Sequence, residues 1–92
     1  MIGSLKCECH IYDAHSLKDK RSVVKKVTQR LKNNYNVAVA ETDHLDLWQR
    51  FEISVATVSK DKQMIEKELQ KIIKFIDRFD EFELTSYEIE LL

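Results

Sequence analysis

The sequence predicts an α+β domain: four strands in one antiparallel sheet, with two helices covering one of its faces. Three observations predict it. Residues from Ile2 to Tyr12 alternate apolar and polar. Two later segments repeat apolar residues at helical spacing. The remaining stretches are short alternating runs, so the order reads β-α-β-β-α-β.

In the first strand Gly3, Leu5, Cys7, Cys9 and Ile11 fall on one side, and Ser4, Lys6, Glu8, His10 and Tyr12 on the other. Asp13-Ala14-His15 is a turn. Ser16 then opens a helix, because Ser16-x-x-Asp19 has capping-box spacing, with Asp in place of the usual Glu or Gln. Leu17, Val24, Val27 and Leu31, with Val23 beside them, form its buried stripe. Asn33-Asn34 ends it, since Asn tolerates left-handed backbone.

Residues 36–42 read as a short strand, 43–46 as a turn and 47–59 as a longer strand, together an antiparallel hairpin. Phe51, Ile53 and Val55 take one side of the longer strand; Trp48, Arg50, Glu52, Ser54 and Ala56 take the other. Ser59 or Asp61 caps a second helix, whose stripe runs through Ile65, Leu69, Ile72, Ile73, Ile76 and Phe79 and ends near Asp80. The last strand, 82–91, changes parity between Leu84 and Tyr87, which calls for a bulge. Short connections and right-handed crossovers assemble these elements into a ferredoxin-like sandwich with one sheet face uncovered.

At 92 residues the chain makes one domain, 1–92. An apolar fraction of 43% supplies a single core but no deep catalytic cavity. No Pro and one Gly exclude Gly-rich phosphate loops and flexible linkers. No apolar run approaches the roughly 18 residues of a membrane span, and the first residues lack a signal-peptide pattern, so a cytoplasmic protein is expected. Cys7 and Cys9 fit that compartment as thiols. Both lie on one side of one strand, an arrangement unsuited to a mutual disulfide.

The charge pattern is lopsided. Net charge is -1, yet residues 18–32 carry seven Lys or Arg and one Asp. At about 3.6 residues per turn, Lys18, Arg21, Lys25 and Lys32 gather on one helix face, with Lys26 and Arg30 flanking it. Such a face attracts a phosphate-rich partner with salt-dependent affinity; a solvated helix surface produces the same pattern. Lys18, Lys20 and Arg21 sit in the first turn, where the helix dipole disfavours cations, and Lys20 projects toward the apolar stripe. Local stability gains little from cations there, which favours a binding role. Residues 77–92 carry six Asp or Glu and one Arg. Attraction between these poles is a modest argument for self-association; a solvated edge is the plainer account.

Other chemistries find weaker support. RNA-recognition motifs stack bases on aromatics of the central strands. Here the outward positions are Ser4, Lys6, Glu8, His10, Arg50, Glu52, Ser54 and Ala56, which disfavours that mode. Trp48, Gln49 and Arg50 form either a polar-aromatic patch or a covered edge. Cys7-x-Cys9-His10 is a poor metal site, because His10 points away from both thiols. No metal or cofactor is expected. Nucleophile-elbow, Walker and His-Glu-x-x-His patterns are missing. An acylphosphatase needs a phosphate-cradling loop with Arg after the first strand, where this chain has Asp13-Ala14-His15-Ser16. Glu41, Asp43, His44 and Asp46 cluster at one turn, as acid–base groups or simply as a polar turn.

Residues 15–24 (His-Ser-Leu-Lys-Asp-Lys-Arg-Ser-Val-Val), 36–41 (Asn-Val-Ala-Val-Ala-Glu) and 46–50 (Asp-Leu-Trp-Gln-Arg) resemble the YlxP-like family of small bacterial proteins. The resemblance covers nearly the whole length and is densest from His15 to Ser59. Phe51 stands where the family more often has a small residue. The resemblance implies a ferredoxin-like fold and no established activity. It also implies genes near those for translation factors and ribosome maturation, an association that favours RNA or the ribosome. Its motif singles out His15, Ser16, Lys18, Lys20, Arg21, Glu41, Asp46, Trp48, Gln49 and Arg50.

The expected function is therefore non-catalytic binding of RNA or a ribosomal particle. Lys18, Arg21, Lys25 and Lys32 supply the charge, with Lys20 and Arg50 added. The alternative is a homo-oligomeric interaction module that buries Trp48, Ala56 and Val58. An enzyme using Glu41, His44 and Asp46 ranks last.

Overall fold

In the computed structural model, which describes residues 1–92, the first alternating segment is strand β1 (Ile2–His10). Helix α1 (Leu17–Asn34) follows, then β2 (Ala38–Asp43), β3 (Arg50–Val58), helix α2 (Lys62–Asp77) and β4 (Glu83–Leu91). The sheet order is β2-β3-β1-β4, antiparallel throughout. This is the ferredoxin-like arrangement that the element order predicts.

The alternation of β1 decides which side is buried. Leu5, Cys7 and Cys9 are at most 1% exposed and face the helices, as do Phe51, Ile53 and Val55 of β3. They join Val24, Val27 and Leu31 of α1 and Ile65, Leu69, Ile72 and Ile76 of α2 in one core. Burying each large side chain there contributes roughly 1.5–3 kcal/mol. Both helices therefore cover the same sheet face.

Gly3 is required by close approach. A Cβ at this position lies 2.2 Å from Cγ2 of Ile65, so α2 rests almost directly on the β1 backbone. The parity change in β4 is a bulge: Leu84 pairs with Cys9 and Ser86 with Glu8, leaving Thr85 as the extra residue. A second irregularity, between Glu41 and Asp43, releases Thr42 from the ladder of β2 and β3.

Several expected boundaries move by two or three residues, β1 ending at His10 rather than Tyr12. β3 begins at Arg50 rather than Leu47, because residues 44–49 form an irregular connection after His44, whose φ of 61° is left-handed. Trp48 is consequently a loop residue. α2 is capped by Asp61, the second of the two candidates, whose side chain accepts the Met64 N–H. It ends at Asp77, with Arg78 as C-cap. β2 begins at Ala38, two residues later than the alternation suggests.

Candidate nucleic-acid interface

The first helix begins where its sequence says it should. The Ser16 side chain accepts the N–H of Asp19, and the Asp19 carboxylate accepts the N–H of His15. Asp19 thus reaches back to the residue before the cap rather than to the Ser16 N–H of a full capping box, and its charge suits the positive end of the helix.

From this start the cations separate into three groups. Lys18, Arg21, Lys25 and Lys32 are exposed, and none takes part in an ion pair. On the flank facing α2, Lys26 pairs with Glu81, and the Arg30 guanidinium lies 5.6 Å from the centre of the Phe79 ring. The Lys26 pair holds the Glu81 carboxyl below its ordinary pKa. The basic and acidic poles of the sequence therefore meet within one chain.

Lys20 forms the third group and corrects an expectation. It is 0% exposed and cannot contact a phosphate. Positions 20, 24, 27 and 31 share one helical stripe, so its stem lies among apolar neighbours. Its ammonium donates to the carbonyls of His44 at 2.7 Å and Leu45 at 3.3 Å. The Glu41 carboxylate stands 2.5 Å away as its counter-ion. A cation disfavoured by the helix dipole is thus tied to the β2–β3 connection.

Arg50 is also separated from the helix face. Its register position opposite His10 puts it on the uncovered side of the sheet. There Glu8 and Glu52 are cross-strand neighbours, a like-charge pairing that needs relief. Arg50 supplies it, 3.4 Å from the Glu8 carboxylate, and Nε2 of His44 lies 3.1 Å from both Glu8 oxygens. Thr42 donates to Glu52 at 2.6 Å. Glu41 and His44 therefore serve opposite faces of the hairpin, and the structure does not gather Glu41, His44 and Asp46 into one site.

Of the remaining motif residues, Asp46, Trp48 and Gln49 are exposed in the connection before β3. The Gln49 carbonyl accepts the Ile11 N–H at 2.8 Å, prolonging the pairing of β1 with β3. Four large side chains, Tyr12, Leu45, Leu47 and Trp48, each have roughly half their area in solvent. Tyr12 donates to Glu83, which raises the pKa of its phenol. Cys7 and Cys9 are sealed in the core, and burial pushes the Cys7 thiol up to about 12 and raises that of Cys9 as well.

The family model "Protein of unknown function (DUF503)" matches residues 2–89. The chain is also 48% identical over 85 residues to "Uncharacterized protein YlxP" of Bacillus subtilis (strain 168), covering 92% of each chain.

The chain belongs to the DUF503 family.

For this DUF503 chain the structure gives the motif a physical content. Ser16 starts the helix, and Lys20 with Glu41 locks it to the hairpin. Lys18 and Arg21, from the same stretch, stay free. Sequence reasoning missed a contribution from α2. Lys71, Lys74 and Arg78 are exposed at three- and four-residue spacing, a signal present in the sequence but overshadowed by α1. The two helices together carry eleven Lys or Arg against four Asp or Glu, whereas the strands carry two against seven. Basic charge thus belongs to the helix layer and acidic charge to the sheet.

Proposed function

We propose that this protein is a non-catalytic binding domain that contacts RNA or an RNA-containing particle through the outer face of α1. One observation carries the reading: Lys18, Arg21, Lys25 and Lys32 share an exposed face with no ion-pair partner, in a chain of net charge -1. Unpaired like charges along one helix repel, so they cost stability unless an anion is bound. A phosphate backbone supplies anions at comparable spacing and releases counter-ions on binding. Lys20 and Arg50 have no part in this face, being engaged with Glu41 and Glu8.

Titration of ribosomal RNA across salt concentrations, by filter binding or mobility shift, tests the reading. Affinity should fall as salt rises, and a triple Lys18→Glu, Arg21→Glu, Lys25→Glu variant should lose binding. Tight binding indifferent to both changes refutes it.

A second reading, a homo-oligomer, rests on the large apolar side chains left exposed, Leu47 and Trp48 side by side and Tyr12 and Leu45 besides. Burial of these side chains between copies is the route to a homo-oligomer. Sedimentation at tens of micromolar (roughly) distinguishes the readings, since closed oligomers normally persist there. A stable monomer removes the second.

A further inference from the structure

The chain between α1 and α2 holds a feature that neither the basic stripe of α1 nor the family motif accounts for. Tyr35, at the end of α1, meets Phe75 of α2 edge-on at 5.5 Å, and Phe75 meets Phe79 edge-on at 5.6 Å. All three are only partly buried. They floor a trough about 460 Å³ in volume at its wider end, between Arg30 and Arg78. Its narrower end continues past Tyr35 to Lys71 and Lys74, with Phe75 and Arg78 shared by both ends.

The rim is strongly one-signed. Arg30, Lys71, Lys74 and Arg78 are exposed and make no ion pair. Of the two acids present, Glu81 is neutralised by Lys26, which leaves Asp80 as the free one. Phe79 is stacked on Phe82 and has the Arg30 guanidinium over its ring, so Tyr35 and Phe75 are the rings left to meet a ligand. Two partly exposed rings bordered by cations that make no ion pair fit a ligand that is anionic and also carries flat apolar groups. Nucleotides combine both features. A volume of this size falls within the range of small-ligand sites.

We infer that this trough is a binding site for single-stranded RNA, with nucleobases against Tyr35 and Phe75 and phosphates on Arg30, Lys71, Lys74 and Arg78. The inference rests on the polyanion reading above and deepens it. The α1 face alone recognises any phosphate backbone, whereas an aromatic floor is useful only to a strand whose bases are free. A duplex hides its bases and gains nothing from the trough. An acidic protein would meet the same cations, but it does not require two rings between them.

Fluorescence anisotropy with a labelled, unstructured RNA of roughly a dozen nucleotides, and with the same strand in a duplex, provides the test. The wild-type chain should prefer the single strand. Lys74→Glu with Arg78→Glu, both exposed, should weaken single-strand binding about tenfold or more and flatten its salt slope by roughly 0.7 for each phosphate no longer neutralised. Phe75→Leu keeps apolar bulk but removes a ring, and should cost at least about fivefold for the single strand and nothing for the duplex. Tyr35→Leu repeats that comparison should Phe75→Leu fail to fold by circular dichroism.

Equal affinity for both RNAs, with Phe75→Leu or Tyr35→Leu unaffected, overturns the inference. So does single-strand binding that survives Lys74→Glu with Arg78→Glu but disappears in Arg21→Glu with Lys25→Glu; that result leaves the α1 reading standing. No binding of either RNA at low salt overturns both readings. Binding of polyglutamate in place of RNA does the same and indicates an acidic protein.

Discussion

Lys20 and Glu41 meet 2.5 Å apart beneath the sheet, one from the first turn of α1 and one from β2, with Lys20 fully buried and the Glu41 side chain 16% exposed. A buried pair of this kind contributes little over an apolar replacement, but removing one partner strands the other. Lys20→Ala should therefore destabilise the fold by about 2–4 kcal/mol. Glu41→Gln should cost less, because the two loop carbonyls still hold the ammonium. Urea midpoints check both, and the double variant should cost less than the sum. RNA affinity per folded molecule should be unchanged in Glu41→Gln.

Gly3 is a position where β1 and α2 approach closely. Gly3→Ala places a methyl against the stiff, branched side chain of Ile65 and should cost about 1–3 kcal/mol. Ile65→Ala in the same chain should relieve the clash, so that the double variant falls well short of additivity. A thermal denaturation cycle of the four chains measures this coupling.

Ser16 carries the start of α1. Ser16→Ala leaves the Asp19 N–H without its side-chain acceptor and should cost about 1 kcal/mol. Ser16→Asp should retain most of the stability, since Asp caps equally well. Chemical denaturation reports both. Any weakening of RNA binding in Ser16→Ala should appear only where the helix frays.

The core thiols give a pH dependence with a definite sign. Burial raises the Cys7 pKa from 9.0 to about 12, so above pH 9 the unfolded chain releases its proton while the folded chain retains it. Stability is unaffected below pH 9 and falls as pH rises from 9 toward 12, by up to about 1.4 kcal/mol per pH unit for this group. Cys9 adds in the same direction. Urea midpoints at neutral and alkaline pH should diverge less in Cys7→Ala than in the wild type.

The α1 face is expected to behave as a set of independent phosphate contacts. Lys25→Gln and Lys32→Gln should each reduce the slope of log affinity against log salt by roughly 0.7 on single-stranded RNA. Neither should shift stability by more than about 0.5 kcal/mol in urea titrations, since both side chains are exposed. Lys20→Met, by contrast, should leave the slope intact.

The strands and helices were legible because their patterns are local. Alternation in residues 2–12 reflects a strand with one buried side, and the stripe from Val24 to Leu31 reflects a helix with one buried side. Even the bulge at Thr85 showed as a parity change. The start of β3 was not legible, because Leu47 and Trp48 continue the apolar count although the left-handed backbone at His44 keeps them out of the ladder. Within the candidate site, Lys18, Arg21, Lys25 and Lys32 could be placed on one face from spacing alone. Lys20 was misassigned because its counter-ion lies 21 residues away, and the trough was missed because it needs both helices at once.

The sequence by itself determined the order of elements, the buried side of each and the basic face of α1, since these depend on the short-range periodicity of the backbone. Tertiary structure alone decided which charges are free. It sank Lys20 beneath the hairpin and brought Arg50, outward-facing by alternation, beside Glu8. It also set Tyr35, Phe75 and Phe79 between Arg30 of α1 and the exposed Lys71, Lys74 and Arg78. The physical reason is that a charge finds its partner through space, and in this chain the decisive partners lie on different elements.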